Sequence, residues 1–138
     1  MVSARLINVA GVSEALKTCY VTYSDKSKHK ILGVKKSSLE KYTAVSEKVA
    51  EEMALADDVP NKADVIVSVT GVAGPDSPYE GKEVGLVYIG CNVKGKITVK
   101  EYKFKGDRAK VRECATTAAL DLMRVCILKY VSETQFGM

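Results

Sequence analysis

Four polar side chains fall where a strand should end or a helix begin: Tyr23, Lys28, Thr70 and Arg108. Lys28 lies in Tyr-Ser-Asp-Lys-Ser-Lys, about one turn beyond Ser24, the residue expected to cap a helix. A lysine near a helix amino terminus feels the positive end of the dipole, which disfavours its charged form, and burial acts in the same sense. A buried Lys28 could therefore work as a base. Arg108, in Gly-Asp-Arg, opens another helix, where a cation is unfavourable for the helix and so is available to an anion or carboxylate. Thr70 belongs to Val-Ile-Val-Ser-Val-Thr-Gly-Val-Ala-Gly-Pro, a β-branched run from Val65 that passes into small residues at Gly71 and Gly74. A loop at the carboxyl end of such a strand can converge backbone N–H groups and a short hydroxyl on a ligand anion. This loop is neither a dinucleotide fingerprint nor a P-loop. Each residue also has a plain structural reading: a solvated first-turn lysine, a packing tyrosine, a structural turn, an arginine paired with Asp107. His29 has no identifiable partner and reads as a surface residue.

The elements that must position these residues follow from spacing and turn chemistry. Val2, Leu6 and Val9 recur at helical spacing and Gly11 closes the segment. Ala15 to Tyr23 reads as a strand, rich in aromatic and β-branched residues. Ser24 caps a helix that Gly33 closes, Ser37-Ser38-Leu39-Glu40 reads as a capping box, and Ser46 opens a helix ended before Pro60. Val65 to Val69 has the look of a strand buried on both faces, and Asp76 to Glu83 of a flap. Val84–Val93 and Ile97–Phe104 form a hairpin around Lys94-Gly95-Lys96. Asp107 caps a last helix with Val111, Cys114, Ala115, Ala118, Leu122 and Val125 on its apolar face. The sum is an α/β sandwich with a mixed sheet of about four strands.

Composition bounds the rest. At 138 residues and 14.9 kDa the chain suits one domain, and 46% hydrophobic with 28% charged residues excludes extensive disorder. No apolar run approaches the roughly 20 residues of a membrane span and no secretory pattern is present, so the expected compartment is the cytosol with no membrane partner. Cys19, Cys91, Cys114 and Cys126 form no Cys-x-x-Cys pair and read as buried, reduced thiols. A net charge of +4, with Lys94, Lys96, Lys100, Lys103 and Lys105 mostly along the solvent side of one strand, argues against a nucleic-acid partner.

Read together, Tyr23-Ser24 with Lys28, Ala44-Val45-Ser46, Ser68-Val69-Thr70-Gly71-Val72-Ala73-Gly74-Pro75, Val84-Gly85-Leu86-Val87 and Gly106-Asp107-Arg108 resemble the carboxyl-terminal domain of the CinA family. The resemblance runs in order from about Val2 to Met123. It implies a three-layer α/β/α sandwich and a cofactor-free, metal-free nicotinamide-nucleotide amidase that converts nicotinamide mononucleotide to nicotinate mononucleotide and ammonia. It further implies Lys28 as base with Tyr23 beside it, and Thr70, Gly71, Ala73, Gly74, Arg108 and Ser46 around the substrate. The family's nucleophilic serine sits in Glu-Ser-Cys-Thr-Gly-Gly, ahead of the helix matching Val2 to Val9, and the 138 residues do not contain that motif. Ser3 matches no motif serine, and Lys82-Glu83 stands where relatives commonly have Lys-Pro. The expectation is thus a single domain over 1–138, truncated at its amino end and inactive as this chain. The alternative is a non-catalytic nucleotide-binding or assembly module. Apolar surface bared by a missing first helix would favour a homo-oligomer.

Overall fold

The computed structural model describes residues 1–135, and its sheet is built on a hairpin. Three strands, β1 (Val65–Gly71), β2 (Leu86–Val93) and β3 (Lys96–Lys103), lie side by side in that order, each antiparallel to its neighbour. β2 and β3 join through Lys94-Gly95, both at positive φ (50° and 90°), the two-residue turn whose twist matches paired strands. Asn92 Oδ1 accepts from the Gly95 N–H at 2.8 Å and holds that turn.

The sheet differs from expectation in number and sense: three strands among the described residues, and antiparallel throughout. The fourth was to be Ala15–Tyr23. That segment follows a 3-10 turn at Val12–Glu14 and pairs with no strand among the described residues, leaving Tyr20, Val21 and Tyr23 46%, 88% and 83% exposed. Its residues favour a strand, but a strand exists only where a neighbour meets its backbone. For the same reason Val65–Val69 is not buried on both faces. β1 is an edge strand, and its valines are half-buried.

Period-two alternation sorts the two faces of the sheet. Val65, Val67 and Val69 pack with Val87, Ile89, Cys91 and Val93 against α5 (Arg108–Gln135), through its Val111, Ala115, Ala119 and Leu122. On the opposite face α4 (Glu47–Leu55) lies close to the strands, and Gly90 permits it: a Cβ there would stand 2.8 Å from the Ala50 carbonyl. α5 is 28 residues long, about 42 Å at 1.5 Å per residue, whereas strands of this length span about 25 Å. The helix therefore outruns the sheet. Its buried residues end at Leu122, and Val125, expected on the apolar face, is exposed.

A second core joins α2 (Asp25–Leu32), α3 (Lys36–Tyr42) and α4 through Leu32, Val34, Leu39, Ala44, Val49 and Met53. α2 has the expected ends: Ser24 Oγ accepts from Ser27 N–H and Gly33 closes it at φ 81°. α3 starts one residue before the expected box, and no side chain of its own caps it. Glu52, reaching across from α4, accepts from the Lys35 N–H at 2.8 Å instead. α1 (Val2–Leu6) is shorter than the Val2–Val9 pattern, and its Arg5 donates to Thr117 Oγ1 on α5 at 2.7 Å. Of the four free cysteines only Cys91 is buried, and Cys19 is exposed because the segment carrying it has no strand partner. Among the described residues no helix is long and apolar enough to cross a membrane.

Candidate active site

Lys28 is the one buried lysine, held under the first turns of α2 because Ser24 starts the helix and turns position 28 inward. Its Nζ donates to the carbonyl of Thr22 at 2.7 Å. Burial pushes the pKa of this amine below the ordinary lysine value, and the nearby Asp25 carboxylate opposes that shift only in part. An amine whose charged form is disfavoured by burial, held one residue from Tyr23, is a candidate general base.

Arg108 opens α5 and ties two distant segments together. Its Nη1 donates to the Gly74 carbonyl at 2.7 Å and its Nη2 to the Tyr23 hydroxyl at 3.2 Å. The plain alternative, a local pair with Asp107, is not formed: Asp107 Oδ1 instead caps the helix by accepting from the Lys110 N–H at 2.9 Å. The residue is exposed, so solvent and solutes can reach it.

The Thr70 loop is arranged differently from expectation. Thr70 lies within β1, buried, and its hydroxyl donates to the Ala44 carbonyl at 2.7 Å, just as Ser68 donates to Ala50. Its lone pairs remain, but its proton is committed to holding the sheet on the segment before α4. Ser46 is committed on both sides: Oγ accepts from Val49 N–H at 3.2 Å and donates to the Thr43 carbonyl at 2.9 Å. In this structure it is a helix cap. Gly71 ends β1 opposite Val87, Ala73 packs at the margin of the α5-side core, and Gly74 presents its carbonyl to Arg108.

Two residues to which the sequence analysis gave no site role close the region. Lys82, in the polar excursion after Pro75, donates to the Val45 carbonyl at 2.7 Å, and Tyr79 packs against Val45, Val72 and Leu86. Burial first, and Asp25 second, push the Tyr79 hydroxyl's pKa upward, which puts this strap near the start of α2. No local signal marks either residue, since their partners lie far off in the chain. His29 is not a free surface residue, because its Nδ1 lies 2.8 Å from the Val34 carbonyl and must carry the proton there.

An open groove of about 520 Å³ between α2 and α3, lined by Asp25, Lys26, His29, Lys30, Lys36, Leu39 and Glu40, does not coincide with this cluster. We set the candidate site at Lys28, Tyr23, Gly74 and Arg108, because Lys28 holds Thr22 and Arg108 holds the adjacent Tyr23, which links a desolvated base to a guanidinium that can bind an anion. Among the described residues no group of three or more His, Cys, Asp or Glu side chains is placed to hold a metal ion.

An α/β domain with a buried lysine at one helix start and an arginine at another, both anchoring the Thr22–Tyr23 segment, is the class that fold and site define. Residues 1–127 match the family model described as the CinA C-terminal domain, and the chain belongs to that family. It is 46% identical over 129 residues to a Clostridium beijerinckii protein named for competence-damage induction, covering 94% of this chain and 32% of that one. It is 44% identical over 131 residues to a CinA-like protein of Kosmotoga olearia, covering 95% and 32%. The chain thus spans about a third of the length of these curated relatives. Among solved structures, a CinA superfamily protein from Escherichia coli superposes with a TM-score of 0.83 at 35% identity, over 87% of this chain and 70% of that one. A competence/damage inducible protein from Agrobacterium tumefaciens gives 0.85 at 29%, over 90% and 76%.

Proposed function

We propose that this chain carries the base and the substrate-anchoring half of a nicotinamide-nucleotide amidase site. The observation that supports this reading is Lys28: a buried amine with a depressed pKa, tied to Thr22 beside the Tyr23–Arg108 pair. A serine hydroxyl attacks an amide when a neighbouring base takes its proton. Here Lys28 takes that proton, the serine oxygen bonds to the carboxamide carbon, ammonia leaves with a proton returned, and water then frees the carboxylate. Arg108 holds the nucleotide phosphate or the developing oxyanion, and Tyr23 orients the arginine. The hydroxyl nucleophile belongs to a Glu-Ser-Cys-Thr-Gly-Gly segment outside these 138 residues, so this chain by itself is proposed to be inactive. The four-stranded, three-layer sandwich of the family is proposed for the chain extended by that segment, in which Leu16–Tyr23 acquires a strand partner.

The test measures ammonia release from nicotinamide mononucleotide by the chain alone and by the chain extended with that segment and its preceding helix. Turnover by the extended chain only, abolished by Lys28→Ala, is the expected result. Equal turnover by both forms would remove the serine from the mechanism. An inert extended chain that still binds the nucleotide would leave a non-catalytic binding module.

A further inference from the structure

Cys91 lies on β2, fully buried, on the face of the sheet that α5 covers. One side chain of that helix matches it in kind. At about 100° per residue, Val111, Ala115, Ala119, Leu122 and Cys126 all fall within about 80° of one another, so Cys126 continues the buried stripe of α5 by one more turn. It is half-buried and packs against the core that holds Cys91. The two thiols meet there: after burial itself, Cys126 is what pushes the Cys91 thiol up, to about 12. Both thiols are free, and neither belongs to the candidate site.

The pair is unequal, and the inequality sets an order of events. An oxidant in solution reaches the half-buried Cys126, whereas Cys91 is sealed and its burial disfavours the reactive thiolate. Hydrogen peroxide transfers one oxygen to the Cys126 sulfur, which leaves a sulfenic acid and one water. The Cys91 sulfur then attacks the Cys126 sulfur, the S–O bond breaks, and the Cys91 proton departs with the hydroxide as a second water. The two thiols together give up two electrons, and the peroxide takes them. A raised pKa slows this second step, but a partner already in contact replaces an encounter in solution and favours it.

We infer that Cys91 and Cys126 form a redox-responsive pair: a peroxide closes them into a disulfide that fastens α5 to β2, and a thiol reductant reopens it by exchange. Residues 91 and 126 are neighbours in the fold and distant in the chain, so the bond restricts the unfolded chain far more than the folded one. α5 begins at Arg108, so the bond also ties the helix of the candidate site to the central strand of the sheet.

The test uses the Cys19→Ser/Cys114→Ser form of the chain, in which a disulfide within one copy can join only this pair. The folded protein is treated with hydrogen peroxide, then alkylated in denaturant without reduction and digested with trypsin. A linked species joining Glu83–Lys94 to Val125–Lys129 is expected, and dithiothreitol should abolish it. The oxidised protein should unfold at a higher urea midpoint than the reduced protein, with no such rise once Cys126→Ser is added. In Cys91→Ala the sulfenic acid has no partner, and Cys126 should pass on to the sulfinic acid. Oxidised protein in which Cys91 and Cys126 both still alkylate overturns the inference, as does Cys126 driven to the sulfinic acid with Cys91 present and no link formed. A link that forms only in urea overturns it too, since the thiols would then meet only in the unfolded chain. So does a link that lowers the midpoint or leaves it unchanged, which would mean that the folded chain strains to accept the bond.

Discussion

Arg108 joins Gly74 and Tyr23, residues 34 and 85 positions away in sequence, through the two arms of one guanidinium. The pair of bonds sets the side chain's plane at the mouth of the β1 loop. A lysine has the charge but not the fork, and could keep only one of those contacts.

On the proposed function, replacing Arg108 with lysine is therefore expected to weaken binding of nicotinamide mononucleotide about tenfold, the loss of one charge-assisted hydrogen bond of about 1.5 kcal/mol. Calorimetric titration of the extended chain checks this. Unchanged affinity in Arg108→Ala would remove Arg108 from the binding set.

Lys28 makes stability depend on pH, and the direction follows from its lowered pKa. Between that lowered value and the ordinary 10.5, the unfolded chain holds a proton at this site that the folded chain has lost. Stability should therefore rise with pH through the window below 10.5, and Lys28→Met should flatten the rise. Urea midpoints against pH measure it. The series stops below about pH 9, because above that Cys91 and then Tyr88, each pushed up to about 12, chiefly by burial, stay protonated longer folded than unfolded and oppose the slope. A wild-type slope retained in the methionine variant would show that Lys28 is not its source.

Two glycines should fail for different reasons. At Gly90 an added Cβ would meet Ser68 Oγ at 2.7 Å and the Ala50 carbonyl at 2.8 Å, so Gly90→Ala should lever α4 off the sheet. A loss of about 2–3 kcal/mol is expected, as for other overpacked cores. At Gly95 nothing lies within 4 Å, but φ is +90°, so Gly95→Ala should cost only about 1 kcal/mol of backbone strain. Urea denaturation of both variants tests the order, and the reverse order would mean that α4 is not seated closely on β2.

Signals that act within a few residues were legible in the amino acids themselves. Ser24 and Gly33 bound α2, Ser46 caps α4, Lys94-Gly95 turns the hairpin and Asp107 caps α5, because each is a side chain or φ preference satisfied by nearby backbone. Lys28 was legible as a base candidate for the same reason: its place one turn after a cap is local. The tertiary structure alone decided what each group spends its hydrogen bonds on. Thr70 and Ser68 were read as parts of a strand and its loop, yet their hydroxyls go to carbonyls 26 and 18 residues away. Glu52 caps a helix 17 residues upstream, which displaced the box expected at Ser37. Leu16–Tyr23 is the sharpest case, since its residues favour a strand while strand formation depends on an edge to pair with. Propensity belongs to the segment and pairing to its neighbours, and no pattern within eight residues states where their backbone partner lies.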